Sequence, residues 1–124
     1  MTDDRNGPVG GRLYAGIPAR LDDEVFETLC VMAGVRIERI LSRGQTTPPG
    51  QWYDQPGDEW VALLAGTAEL EFADGTHCSL LAGDWLLLPA HCRHRVAATS
   101  TEPAAVWLAV HVPRPGIGSR DTPA

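Results

Sequence analysis

The stretch Ala82–Val96, AGDWLLLPAHCRHRV, decides the fold because it alternates turn signals with short apolar runs. Gly83 opens a tight turn into the apolar run Trp85–Leu88. Pro89 ends this run, since proline has no N–H to donate to a β-ladder. A polar loop follows, and His94 begins a second strand. The spacing predicts a histidine held at a strand start, directly after a proline-bounded loop.

A second stretch lies upstream, at Trp52–Gly66, WYDQPGDEWVALLAG. Together the two stretches resemble the two motifs of the cupin superfamily. The downstream stretch resembles the second motif in the spacing of Gly83, Pro89 and His94, with His91 where glycine is usual.

The upstream stretch resembles the first cupin motif, in which His-x-His is usually followed by three or four residues, a glutamate, six residues and a glycine. Glu59 and Gly66 fit this spacing, and Trp52 and Asp54 stand where the two histidines would be. A strand register shifted by one residue would exchange Asp54 with Gln55 on the inward face.

The resemblance covers about residues 45–112 and implies an all-β fold, an antiparallel jelly-roll (double-stranded β-helix) cupin barrel. The residues support this independently, because short apolar runs are separated by turn signals every 8–12 residues, which is typical of an antiparallel sandwich or barrel. Val35–Leu41 alternates as a half-buried strand. We expect its Arg36, Glu38 and Arg39 to form a solvated or subunit-facing surface. Val25–Val31 favours an edge strand over a helical turn.

A chain of 124 residues predicts one domain. We divide it into a mobile N-terminal arm at 1–11, a cupin domain at 12–113 and a flexible C-terminal tail at 114–124. The net charge of −6 argues against nucleic-acid binding. No apolar run approaches the ~20 residues of a membrane span, and the N-terminus lacks the pattern of a signal peptide. Three widely spaced cysteines suit free thiols. These features predict a cytoplasmic protein.

The resemblance to cupins implies that Asp54, Glu59 and His94 face the barrel interior, which makes them candidate metal ligands, with His111 or water as the fourth. Buried carboxylates and imidazoles need a partner or a metal ion. Nitrogen and carboxylate ligands suit a divalent transition metal such as Zn, Mn, Fe or Ni. A competing interpretation is that Glu59 and His94 form a hydrogen-bonded pair that fills a pocket.

The candidate pocket walls are Trp52 and Trp107. Trp52 cannot bind a metal, but its ring could contact an apolar or aromatic molecule or stack on a sugar. Cys92 lies two residues before His94, and we expect its thiol to be inert unless an electropositive setting favours the thiolate.

The predicted function is a cupin barrel with a metal site that acts on, or binds, a small organic molecule. The alternative is a non-catalytic module that binds or senses a small ligand without metal, and a third interpretation is a partner-binding barrel. Whether the chain is an enzyme stays open, because one fold hosts many chemistries. We expect no nucleic-acid or membrane partner, and a homodimer formed through edge strands.

Overall fold

The computed structural model describes residues 7–115, which form eight β-strands and no helix. None of these residues therefore belongs to a helix that could cross a membrane. Residues 7–11 have no regular secondary structure, and the rest of the predicted arm and most of the predicted tail (1–6 and 116–124) lie outside the described residues. The strands are β1 Val25–Met32, β2 Val35–Ser42, β3 Asp58–Ala65, β4 Thr67–Phe72, β5 His77–Leu81, β6 Trp85–Leu88, β7 His94–Thr99 and β8 Ala105–Val112.

The strands form two antiparallel sheets, and this arrangement confirms the predicted all-β jelly-roll barrel. One sheet has five strands in the order β1-β2-β8-β3-β6, and the other has three in the order β5-β4-β7. Apolar side chains of both sheets meet in one core, which buries them from water and stabilises the fold. The core consists of Val61, Leu63, Ala68, Leu70, Leu80, Leu88, Ala105, Trp107 and Ala109.

Two motif glycines occupy positions that a larger residue could not adopt without strain. Gly66, between β3 and β4, has a φ of +79°, and a Cβ placed there would lie 2.7 Å from the carbonyl oxygen of Ala104. Gly83 has a φ of +97° in the turn before β6. Glycine adopts these left-handed conformations readily because it has no Cβ. The turn at Gly66 therefore sets where β4 begins, and the turn at Gly83 sets where β6 begins.

The irregular segment 45–55 forms an additional wall beside the three-stranded sheet. Thr47 donates a backbone hydrogen bond to the Val96 carbonyl over 2.9 Å, and Tyr53 donates one to the His94 carbonyl over 2.7 Å. The stretch Gln51–Asp54 forms no strand, and its one β-bridge joins Tyr53 to His94. The two prolines at 48 and 49 explain the irregular backbone, because neither can donate to a ladder.

The orientation of β2 differs from the expectation for its polar face. Arg36 and Glu38 line the barrel cavity together with Ile40. Arg39, on the opposite face, is buried, and its guanidinium donates to Glu27 over 2.6 Å. The prediction of a solvated or subunit-facing cluster was therefore wrong for Glu38 and Arg39, because their charges are compensated by partners within the chain.

Candidate functional site

A cavity of about 210 Å³ lies inside the barrel, between the two sheets. Apolar and aromatic side chains line it together with carboxylates, imidazoles, one amide and one guanidinium. The lining residues are Glu24, Phe26, Arg36, Glu38, Ile40, Tyr53, Gln55, Glu59, Val61, Leu70, Leu88, His94, Val96, Trp107 and His111.

Glu59 and His94 form the centre of the polar lining. Glu59 is near the start of β3 and His94 begins β7, and both side chains are buried. Their closest atoms, Glu59 Oε1 and His94 Nε2, are 3.9 Å apart, which is too long for a direct hydrogen bond. His94 Nδ1 lies 2.9 Å from the Cys92 carbonyl oxygen. A carbonyl can only accept, so Nδ1 carries a proton, and in the neutral ring Nε2 is the acceptor.

Burial changes the acidity of the cavity carboxyls. Burial raises the pKa of Glu59 above its ordinary value, although the nearby His111 and His94 partly oppose this effect. Burial also raises the pKa of Glu24, whose Oε2 accepts a 2.9 Å hydrogen bond from the Ser42 hydroxyl. A raised pKa favours the protonated carboxyl, which can donate a proton as well as accept one. The cavity thus contains groups suited to proton transfer.

A second imidazole–carboxylate pair lies beside the first. His111 is the cross-strand neighbour of Glu59, and its Nε2 donates to Glu38 Oε1 over 2.7 Å. Arg36 is 3.8 Å from the same oxygen. The carboxylate therefore orients the His111 ring and partly balances the Arg36 charge. Sequence reasoning missed Glu38 and Arg36 because an alternating strand does not state which face is inside.

The two residues expected at the first-motif histidine positions do not line the cavity. Tyr53 and Gln55 do so in place of Trp52 and Asp54. Asp54 is half exposed and accepts a 2.7 Å hydrogen bond from His91. The motif allows three or four residues before the glutamate, and the structure has the three-residue spacing from Gln55. One residue of register exchanges the two faces.

The other candidate residues have separate environments. Trp52 stacks under the Arg93 guanidinium, 5.6 Å from the ring centre. Trp107 lines the cavity, and its indole N–H is buried without a hydrogen-bond partner among residues 7–115. Burial raises the pKa of the Cys92 thiol, which disfavours the thiolate that a nucleophile needs. His91 has a φ of +61°, which explains why glycine is usual there.

The donor set does not fit a typical four-ligand metal site. Of the four predicted ligands, Glu59, His94 and His111 reach the cavity, but His111 is bonded to Glu38. Across the part of the chain that the structure describes, no three His, Cys, Asp or Glu side chains are arranged to hold an ion. Tyr53 and Gln55 occupy the remaining positions, and neither replaces an imidazole as a strong nitrogen ligand.

A second recess of about 420 Å³ lies beside the cavity. Arg36, Gln55 and His111 line both spaces, so they lie at the boundary between them. The recess also includes Asp58, whose carboxylate accepts from the Arg114 side chain over 3.0 Å. A ligand that extended over both spaces would contact these three boundary side chains.

The double motif, the barrel and the cavity agree with a family match. The family model described as Cupin domain matches residues 40–111. The chain belongs to the cupin superfamily. A search of curated proteins finds no match.

Solved structures include one similar cupin with substantial sequence identity. A protein from Ralstonia eutropha JMP134, described as a putative mannose-6-phosphate isomerase, is 48% identical, with a TM-score of 0.82. The match covers 86% of this chain and 100% of that one.

Two more distant structures show the fold alone. A cupin superfamily protein from Desulfitobacterium hafniense DCB-2 is 23% identical, with a TM-score of 0.66 and coverage of 79% of this chain and 84% of that one. An RmlC-like cupin from Desulfovibrio desulfuricans is 17% identical, with a TM-score of 0.69 and coverage of 87% and 100%.

Proposed function

We propose that this cupin binds a small, uncharged, oxygen-rich organic molecule in the barrel and transfers a proton on it, with Glu59 and His94 as the acid–base pair. The observation that carries the proposal is the buried pair itself. Glu59 Oε1 and His94 Nε2 face the same cavity 3.9 Å apart and do not satisfy each other. Buried polar groups without partners are costly, so a bound molecule that hydrogen-bonds both is favoured.

The size and charge of the cavity restrict the ligand. A volume of about 210 Å³ is below the ~300–1,000 Å³ typical of drug-sized ligands. The one guanidinium that lines the cavity, that of Arg36, already lies 3.8 Å from the Glu38 carboxylate, which partly balances its charge. An anionic group is therefore disfavoured inside the barrel. A phosphate on a larger ligand would fit better beside Arg36, at the boundary with the outer recess.

The chemistry supported best is proton transfer next to a carbonyl group. His94 Nε2, as the acceptor nitrogen, removes a proton from the carbon beside the carbonyl. The protonated Glu59 carboxyl donates its proton to the carbonyl oxygen, so that an enediol forms and both proton counts balance. The protonated His94 then returns its proton to the former carbonyl carbon, while the Glu59 carboxylate takes the proton of the other enediol hydroxyl. The carbonyl group is then on the neighbouring carbon, both side chains have regained their starting forms, and the isomerisation is complete. The description of the Ralstonia eutropha protein as a sugar-phosphate isomerase supports the same reaction class.

Two alternatives remain as proposals. The first is a divalent Zn, Mn, Fe or Ni ion held by Glu59 and His94, favoured by their convergence on one cavity. The second is binding or sensing of the same molecule without chemistry, favoured by the absence of the histidine pair from positions 53 and 55.

The test is exchange of substrate hydrogen with solvent in D₂O, followed by proton NMR. The probes are aldoses and ketoses of three to six carbons, with mannose 6-phosphate included. We expect exchange in the wild type and a loss of about 10²–10⁴-fold in Glu59→Gln, the size of a general acid–base contribution. The matched control is Glu69→Gln, because Glu69 pairs with His77 over 2.9 Å on the outside of the barrel.

The three proposals give different results. Binding of a probe by calorimetry without exchange supports the binding module. Exchange that a chelator abolishes and a metal ion restores, with about one equivalent of metal by elemental analysis, supports the metal alternative. Equal exchange in Glu59→Gln and wild type contradicts the acid–base assignment.

A further inference from the structure

Glu24 is a cavity carboxyl that the proposed proton transfer does not use. It directly precedes β1, lines the cavity and is half-buried. Its Oε2 accepts a 2.9 Å hydrogen bond from the Ser42 hydroxyl, and within the described part of the chain its Oε1 bonds to no other residue. A half-buried oxygen that borders a cavity and lacks a partner is available to a bound molecule.

The chain that leads to Glu24 is held against the barrel by side chains. The segment 13–23 contains no strand or helix, so backbone ladders do not fix its position. Three side chains of β2 and the residues after it donate to carbonyl groups of this segment over 2.7–3.0 Å: Arg39 to Leu13 and Ala15, Arg43 to Pro18, and Gln45 to Leu21. The position of Glu24 is therefore set before any ligand binds, which lowers the entropy cost of using it as a contact.

Glu24 and the proposed reactive groups contact different levels of the cavity. The cross-strand neighbour of Glu59 is His111, which bonds to Glu38. Ser42, the partner of Glu24, lies four residues further along β2 than Glu38, on the same face of the strand. Four residues of a strand span ~13 Å. A ligand that reacts at Glu59 would therefore reach Glu24 with its opposite end.

Tyr53 connects the two levels. Its ring stacks on the His94 ring, with 5.4 Å between the ring centres. Burial raises the pKa of Tyr53, and the charges of nearby carboxylates, with Glu24 first among them, add to this rise. The phenol therefore keeps its proton at neutral pH, and the effect of Glu24 places that carboxyl near the same ring. One ligand beside His94 can thus contact Glu24 as well.

The environment of Glu24 suits a hydroxyl group better than a charged one. Burial raises the pKa of Glu24, which favours the neutral carboxyl. A neutral carboxyl has an O–H donor and an acceptor oxygen, and a hydroxyl group can satisfy both. A ligand ammonium would instead require the carboxylate form, which burial disfavours.

We propose that Glu24 determines specificity by binding the terminal hydroxyl group of the ligand, at the far end from the reacting carbonyl. This inference rests on the proposed function, because the position of the carbonyl follows from the roles of Glu59 and His94. It narrows the substrate class to polyhydroxylated carbonyl compounds. A site that hydrogen-bonds a substrate hydroxyl rejects the analogue that lacks it, because the buried partner is then left unpaired.

The test combines one change in the protein with one change in the ligand. Each probe is paired with the analogue that lacks its terminal hydroxyl: glyceraldehyde with lactaldehyde, ribose with 5-deoxyribose, and mannose with 6-deoxymannose. Hydrogen exchange in D₂O gives kcat/KM for both members of a pair. We expect the wild type to prefer a hydroxylated member roughly 10–100-fold, the worth of one buried hydrogen bond. Glu24→Met should lose this preference and keep the wild-type rate on the deoxy member.

Two further variants separate recognition from structure. Glu24→Gln keeps a donor and an acceptor on a side chain of the same length, so it should retain most of the preference. Glu69→Met is the matched control, because Glu69 pairs with His77 on the outside of the barrel and its loss should leave the preference unchanged. A purely structural role of Glu24 would lower kcat/KM equally on both members of a pair.

The same comparison works without turnover. If no probe exchanges hydrogen, the paired dissociation constants are measured by calorimetry, so that failure of the proton chemistry is distinguished from failure of this inference. Equal treatment of the paired probes by the wild type, an unchanged preference in Glu24→Met, equal losses on both members of a pair, or binding of none of the probes would each overturn the assignment of Glu24.

Discussion

The strands β4 and β2, one from each sheet, place their glutamates on opposite sides of the barrel wall. In β4, Leu70 faces the core, and Glu69 and Glu71 face outward, where they pair with His77 and Arg95. In β2 the order is reversed, because Glu38 lines the cavity and Ile37 lies on the outward face. Both strands alternate, so alternation identifies a strand without identifying its inner side.

The difference reflects what each sheet faces. The three-stranded sheet separates an apolar core from water, which places its charges outside. The five-stranded sheet has a polar cavity on its inner side, where His111 donates a hydrogen bond to Glu38. Three predictions test this contrast, and they are ordered from the largest expected effect to the smallest.

Leu70→Ala should give the largest loss of stability. Leu70 is 2% exposed, and its truncation leaves a cavity in the core. We expect the free energy of unfolding to fall by about 2–5 kcal/mol in urea denaturation. Leu81→Ala, on an exposed position of the neighbouring strand, should change it by less than about 0.5 kcal/mol. Similar losses at the two positions would contradict the assignment of inner and outer faces.

Glu38→Ala tests whether a charged residue of the five-stranded sheet is internal. The change leaves the half-buried Nε2–H of His111 without its acceptor, which should cost about 1–3 kcal/mol of unfolding free energy. The comparison is Glu69→Ala, which removes an exposed pair with His77 and should cost less than about 1 kcal/mol. If thermal or urea unfolding shows equal costs, Glu38 does not act as a buried partner.

Glu59→Gln should increase stability at neutral pH, by about 1.4 kcal/mol for each unit by which burial raises the pKa of Glu59. Burial raises the folded-state pKa of Glu59 above the ordinary 4.5. Below pH 4.5 the carboxyl is protonated in both the folded and the unfolded wild-type protein, so its burial as a charge costs no stability. As the pH rises from 4.5 through the folded-state pKa, the unfolded protein ionises more readily and the wild type loses stability. Urea denaturation from pH 4 to 8 should show the advantage of the variant growing as pH rises. An advantage that shrinks with rising pH would show that the carboxylate form is favoured by folding.

Much of the fold could be predicted from local chemistry. Gly83 and Pro89 specify a turn and a strand end whatever surrounds them, and His94 follows at a fixed distance. The strand Val25–Met32 also lies at a sheet edge, in agreement with the edge strand expected at Val25–Val31.

The site was predictable only in part, because its residues depend on register and on distant partners. Glu59 and His94 were identified by motif spacing. Tyr53 was missed because a spacing of three or four residues cannot be decided before the bridge to His94 is known. Glu38 was missed because its partner, His111, is 73 positions away in the sequence.

The bridge between Tyr53 and His94 has a consequence for how such a barrel diversifies. The wall at 45–55 is irregular backbone hydrogen-bonded to β7, whereas Glu59 and His94 belong to regular strands. Insertions, deletions and substitutions in the wall can therefore reshape the cavity while Glu59 and His94 keep their places on the strands. One barrel can in this way accept different ligands by changes confined to a single loop.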